Sequence, residues 1–318
     1  MAQFDVFNGD ADGLCALHQL RLADPMESCL VTGVKRDIDL LCRVQAGSDD
    51  HVTVLDISLD INRQSLLRLL DEGASVRWFD HHFAGEIPIH PNLEAYIDTA
   101  PDTCTSLLIN GHLHGKYLPW AVAAAFGDNL HDVARRSAAA LRLDQLQLDQ
   151  LCLLGECINY NGYGVTPDDL YFHPADLYRR MAPFADPFVF IKEDGGFLIL
   201  KEGMDSDIRR ARETRPEFAD AHAALFVLPN EAWARRVSGV FSNELARMQP
   251  ERAHAVAMPL DNGGWRISVR APLATKKGAD ELCHVFPTGG GRAAAAGINR
   301  LPEEMFDAFV DRFRTAFS

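Results

Sequence analysis

Four short acidic stretches carry the residues of this chain that can do chemistry. Phe79-Asp80-His81-His82 follows the apolar run Ser75-Val76-Arg77-Trp78 and sets two adjacent imidazoles behind a carboxylate. Asn8-Gly9-Asp10-Ala11-Asp12-Gly13 follows a β-prone run from Phe4 to Phe7 and precedes Leu14-Cys15-Ala16-Leu17, where helical spacing begins. His51-Val52-Thr53-Val54-Leu55 ends in Asp56, and the apolar segment Ala121-Val122-Ala123-Ala124-Ala125-Phe126-Gly127 ends in Asp128. All four read as the same kind of place, an apolar run giving way to a loop. Open α/β sheets gather ligands at such carboxyl ends.

Singly, each has an ordinary explanation. Asp56 and Asp128 fit helix N-caps, Asp10 and Asp12 fit turn residues, and the histidine pair fits a surface loop. Together they imply something else. Carboxylates that converge on one crevice repel one another unless cations are present. Hard oxygen ligands with one imidazole suit Mn²⁺ or Mg²⁺ better than a thiolate-seeking metal. Two such ions about 3.5–4 Å apart clamp the attacking and leaving oxygens of a phosphoryl centre and generate hydroxide from water. The residues by themselves therefore predict a two-metal phosphoesterase.

The elements that must hold these residues alternate in type. Residues 1 to about 130 predict strands near 3–8, 28–33, 51–56 and 75–80 and helices near 13–23, 61–72 and 103–113. Such alternation predicts an α/β fold with a parallel, doubly wound sheet. Residues 119–182 read as helical, with the leucines between Leu141 and Leu154 as apolar faces. Pro183-Phe184-Ala185-Asp186-Pro187 is the candidate boundary, giving domains 1–185 and 186–318. The second predicts strands near 188–192, 197–200, 223–228, 254–259 and 265–270.

Taken in order, Asn8 to Gly13, Asp56, Asp80-His81-His82 and Asp128 resemble the four motifs of the DHH phosphoesterase superfamily. The far end agrees. Thr288-Gly289-Gly290-Gly291-Arg292-Ala293-Ala294-Ala295-Ala296-Gly297 is similar to the glycine-rich signature of the DHH-associated substrate domain, and Trp265–Arg270 is similar to the strand before it. The resemblance implies a metal-binding catalytic DHH domain, a smaller α/β substrate-binding domain, and an active site in the cleft between them. It implies that Asp10 binds a first metal and Asp12 a second, with Asp56 bridging and with His81 and Asp128 completing the second metal's ligands. Asn8 stands where many relatives have a His or Asp, a neutral and weaker ligand for the first metal. His82 is expected at the scissile phosphate and Asp80 behind it as an orienting carboxylate. Arg270, Gly289, Gly290, Gly291 and Arg292 are the expected substrate residues. Arg292 replaces the family's histidine, and an arginine can hold phosphate bidentately. The glycine run is expected to open an alanine-rich helix whose amide groups bind an anion.

Composition narrows the substrate. Of 318 residues, 31 are basic and 45 acidic, a net charge of −14, and no basic run exceeds two residues. Proteins that track long nucleic acid carry a basic stripe, so a short phosphorylated substrate is expected. The seven cysteines form no CxxC pair and read as core thiols of a reducing cytosol. No secretory signal and no membrane span is legible, so a cytoplasmic protein without a membrane partner is expected; a homodimer is compatible with this reading. The expected activity is an Mn²⁺-dependent phosphodiesterase (two ions, with Mg²⁺ as the alternative metal). Its expected substrates are short linear oligonucleotides such as pGpG or pApA, released as nucleoside 5′-monophosphates. The alternatives are a cyclic-dinucleotide phosphodiesterase, a phosphoadenosine phosphatase, a polyphosphate or pyrophosphate hydrolase and, in another class, a catalytically silent nucleotide sensor.

Overall fold

A computed structural model describes residues 1–318, and the chain divides into two units, Met1–Gly203 and Met204–Ser318. The first unit begins β1 (Gln3–Phe7), α1 (Ala11–Ala23), β2 (Cys29–Val31), β3 (His51–Leu55), α2 (Leu59–Asp71), β4 (Ser75–Asp80) and β5 (Leu93–Ile97). All five strands are parallel, in the order β2-β1-β3-β4-β5. The order reverses direction beside β1, so the β1/β3 carboxyl ends form the switch point where such sheets bind ligands. Runs such as Val52–Leu55 are buried at every position, as expected of strands covered on both faces. One face is covered by Leu59, Leu66, Leu69 and Leu70 of α2, packed with Val52, Val54, Val76 and Trp78.

Helices α3 (Thr105–His112), α4 (Leu118–Gly127), α5 (His131–Ala138), α6 (Gln145–Asn161), α7 (Pro174–Met181), α8 (Pro187–Glu193) and α9 (Gly195–Glu213) follow. Helix α1 packs against α3, α4 and α6 and is buried on every side from Ala11 to Arg21. An all-buried helix must satisfy its polar groups internally. Arg21 does so bidentately, Nε to Asp5 Oδ2 at 2.9 Å and Nη2 to Asp5 Oδ1 at 2.5 Å. His18 pairs through Nε2 with the Phe184 carbonyl at 2.9 Å and lies edge-on to Trp120.

Burial holds His18 down at about 4 against an ordinary 6.5, and the Phe184 carbonyl only partly offsets it. Between pH 6.5 and 4 the unfolded chain therefore binds the proton that the folded chain refuses, so stability falls as pH drops through that window. The full loss at pH 4 is about 3 kcal/mol. In melting curves recorded from pH 7 to 4, His18→Gln, which keeps a donor for Phe184, should show a shallower acid decline. Parallel curves for the two proteins would refute this.

The second unit contains β6 (Phe218–Ala219), β7 (Ala223–Val227), α10 (Ala232–Met248), β8 (Ala253–Pro259), β9 (Trp265–Arg270), α11 (Ala279–His284), β10 (Gly289–Arg292), β11 (Ala295–Leu301) and α12 (Phe306–Ala316). Its sheet runs β10-β11-β9-β8-β7-β6, with only the β7/β8 pair parallel. α11 and α12 cover one face through Leu282, Phe309 and Phe313. α10 covers the other through Val237, Phe241 and Leu245.

Several expectations require correction. Residues 188–192 and 197–200 are helical, not strands. Asp186 accepts from Phe188 N at 2.8 Å with Pro187 in the first turn, a helix-start signal that overrides the β-branched composition. In α9, Phe197 and Leu200 are buried while Leu198 and Ile199 are exposed, a helical spacing. The stretch 183–187 lies inside the first unit, and the division falls within α9. Strand β5 was not anticipated; it is a half-exposed edge. The glycine run starts no helix, because β10 and β11 pair as an antiparallel hairpin.

Candidate metal centre

The carboxyl ends of β1, β3 and β4 deliver the candidate residues to one place. After β1, Gly9 turns the chain under Gly33 and Pro174, where a Cβ would collide with the Gly33 carbonyl. Asp10 then caps α1, accepting from Asp12 N at 3.0 Å and Gly13 N at 3.1 Å. Asp12, in the first turn of α1, aims its carboxylate at the start of α3. There Oδ2 accepts from Thr105 N and Oδ1 from Ser106 N, each at 2.7 Å. Residue 104, which precedes α3, supplies no side-chain cap, so Asp12 does this across the fold.

Asp56 follows β3 with φ of 60°, in the left-handed region that a non-glycine residue seldom occupies. Such strain gathers at functional sites. Thr105 Oγ1 donates to its Oδ1 at 3.2 Å. Asp80, fully buried at the end of β4, accepts from His82 Nδ1 at 2.7 Å, and its other oxygen has no hydrogen-bond partner. Asp80 thus orients His82 and leaves His81 free. Asp128 follows α4, a helix end instead of a strand end, so the fourth cluster differs in kind from the other three.

His81 is the hub. Its Nε2 lies 3.4 Å from Asp56 Oδ1 and 3.9 Å from both Asp12 Oδ2 and Asp128 Oδ2. Donor atoms of Asp12, His81 and Asp128 all fall within 4.8 Å of one another, as do those of Asp56, His81 and His82. Six donors about 2.1 Å from one hard ion are separated by roughly 3–4 Å. Asp12, Asp128 and His81 at this spacing therefore fit a divalent ion of the Mn²⁺ or Mg²⁺ kind, with Asp56 beside the same imidazole. Cys15 and Cys104, close to Asp12, do not compete, because burial and the Asp12 charge hold both thiols well above their usual range.

The charges show how much positive compensation the centre needs. Burial, then Asp12 and Asp10, push the Asp56 carboxyl well above the ordinary range. The same causes push Asp128 to about 6. Asp10 goes the other way: burial raises it, but the Lys35 ammonium prevails and lowers it. Lys35 itself is depressed by burial, yet Asp10 and Asp128 hold it above its usual value. Sequence reasoning missed Lys35, whose Nζ sits 2.5 Å from Asp10 Oδ2, 3.1 Å from Asn159 Oδ1 and 3.5 Å from Asp128 Oδ1. The available signal was positional: Lys35 lies just past β2, the strand beside β1. Thr105, Asn159 and Tyr163, whose hydroxyl accepts from Asn159 Nδ2, were also missed in this role.

No sequence-family model and no curated protein matches the chain, so the likeness is structural. The manganese-bound exonuclease RecJ superimposes with a TM-score of 0.64 at 17% identity, over 99% of this chain and 90% of that one. The DHH domain of a member of a ribosomal-protein family gives 0.65 at 11% identity, over 99% and 86%. The pGpG-specific phosphodiesterase PggH of Vibrio cholerae gives 0.57 at 12% identity, over 99% of both chains. The chain has the fold of these RecJ and DHH-domain structures.

Within this DHH fold the second unit carries the remaining candidate residues on its own sheet. Arg270 pairs with Ala295, which also pairs with Arg292, so the two arginines stand in one row on one face. Arg270 is anchored, Nε donating to Asn243 Oδ1 at 2.7 Å, and burial lowers it somewhat. Arg292 is exposed at the hairpin tip. The three glycines differ in purpose. A Cβ at Gly289 would strike the Cys283 carbonyl of α11, and Gly291 has a φ of 143°; at Gly290 a Cβ would meet nothing closer than His284 Nε2 at 3.8 Å.

Proposed function

We propose that this chain is a manganese-dependent phosphodiesterase that cuts short linear oligonucleotides, dinucleotides such as pGpG or pApA above all, into nucleoside 5′-monophosphates. The observation that carries the reading is the His81 hub, with Asp12, Asp56 and Asp128 around it. A divalent ion bound there supplies Lewis-acid polarisation of a phosphoryl oxygen and a nucleophilic water. The chain's own residues do the rest. Thr105 fixes the rotamer of Asp56, and the α3 amides fix Asp12, so the ligands are preorganised. His82 spends Nδ1 on Asp80 and keeps Nε2 for a phosphate oxygen, where it steadies developing charge.

The substrate class draws support from charge and from likeness. A chain of net charge −14 lacks the electrostatics for long nucleic acid, and PggH, similar over its full length, is specific for pGpG. The arginine row offers guanidinium groups to a phosphate or a base. The short nucleotide is the only partner that this reading needs, and no helix is long and apolar enough to cross a membrane.

The test is a set of product chromatograms with Mn²⁺ and separate offers of pGpG, pApA, a five-nucleotide RNA, cyclic di-GMP, 3′-phosphoadenosine phosphate and pyrophosphate. We expect the dinucleotides to become monophosphates while the five-mer survives. Comparable cleavage of the five-mer would replace the reading with a general oligoribonuclease. Binding of nucleotides without turnover of any would replace it with a sensor.

A further inference from the structure

We propose that the Lys35 ammonium is a built-in cation for the Asp10 end of the centre, so that the chain binds one divalent ion and not two. The inference rests on the metal-centre reading above and alters the ion count that the motif resemblance implies. Asp10, the residue expected to hold a first metal, belongs to neither metal-competent group; its Oδ2 faces Lys35 Nζ at 2.5 Å. The ammonium's three donors meet three oxygens, those of Asp10, Asn159 and Asp128. Asn159 presents its carbonyl oxygen because its amide nitrogen donates to the Tyr163 hydroxyl at 2.9 Å.

The lysine is placed, not merely near. Its backbone N donates to the Gly162 carbonyl at 2.9 Å, and its carbonyl accepts from Asn8 Nδ2 at 3.2 Å. These two bonds tie residue 35 to the loop after α6 and to the turn after β1. Asn8 points in the same direction: a neutral amide at the expected first position contributes no charge to attract a second ion. Its buried Oδ1 has no hydrogen-bond partner. With Lys35 removed, the Asp10 carboxylate would lose its cation and stand open to another ion.

Equilibrium dialysis against Mn²⁺, followed by elemental analysis and electron paramagnetic resonance, reads this without any substrate. We expect one Mn²⁺ per wild-type chain, with the six-line signal of an isolated ion. Lys35→Ala and the length-preserving Lys35→Gln should each take up two, with the broadened signal of a coupled pair. Two coupled ions in the wild type would overturn the proposal, and so would folded Lys35 variants that still hold only one. A wild type that binds no Mn²⁺ would overturn the metal-centre reading itself, a result distinct from a count of two. If both variants unfold, the wild-type count and spectrum decide the matter alone.

Discussion

Asp56→Asn is expected to make the metal-free protein more stable while abolishing the metal-dependent hydrolysis proposed for it. Burial and four neighbouring carboxylates hold the Asp56 carboxyl well above its ordinary value. A raised carboxyl means that the folded state retains a proton which the unfolded chain has already released above pH 3.8. Stability of the metal-free protein is therefore lost as pH rises through the folded value, and for Asp128 that window runs from 3.8 to about 6. Asparagine keeps an acceptor for Thr105, tolerates the left-handed backbone, and removes one charge from the cluster. Even 1 kcal/mol of relief would raise the melting temperature by about 2–4 °C in a protein of this size class. Hydrolysis should fall roughly a thousandfold or more, since a carboxylate 3.4 Å from His81 Nε2 in the proposed centre loses its charge. Calorimetry in chelator at pH 8, beside a turnover assay, checks both signs. A melting temperature unchanged or lowered in chelator would contradict the electrostatic account.

Gly155→Ala should be among the most damaging conservative changes in the first unit. Gly155, in α6, lies against α4 so closely that a Cβ would collide with the Ala123 carbonyl and press on Gly127 N. Gly127 in turn touches Ala11 and Gly155 and directly precedes Asp128. Forcing the helices apart therefore costs packing and moves a candidate ligand at the same time. Overpacking of this kind costs about 1–3 kcal/mol or more, and Mn²⁺ affinity should fall with it. Gly239 is the control. It lies inside α10 with nothing near its position, and Gly→Ala in such a helix stabilises by roughly 0.5–1 kcal/mol. Urea titrations of the two variants should shift in opposite directions. A harmless Gly155→Ala would mean that α4 and α6 are not held at this separation.

Much of the first unit was legible because its signals are local. Strands β1, β3 and β4 are β-prone runs that give way to Asp or Asn, whereas the switch point needs the sheet order that only the structure supplies. The residues around His81 were found from type and position alone. Lys35 was invisible for the opposite reason: nothing in Thr32-Gly33-Val34-Lys35 signals function until β2 lies beside β1 and brings the ammonium to Asp10. The C-terminal half of the chain misled where composition and position disagree. Phe188 to Ile191 has the look of a strand, yet Asp186 and Pro187 start a helix, and Phe190 completes its burial against Trp120 and Phe184. Gly289 to Ala296 suggested an anion-binding helix, but β10 and β11 pair as antiparallel strands across a two-residue turn at Ala293-Ala294.

The double grip of α3 on Asp12 has an evolutionary consequence. The carboxylate serves as the missing cap of a helix more than ninety residues away, with both oxygens taken by backbone amides. A lineage that abandoned hydrolysis would still be selected to keep this aspartate, because losing it would fray α3 in a protein with no remaining use for metal. Asp12 would then persist as a fossil of catalysis, whereas His81, which supports no backbone, would be free to drift. In a comparison of descendants, the histidine is therefore the informative position, and retention of the aspartate alone says nothing about whether an enzyme survives.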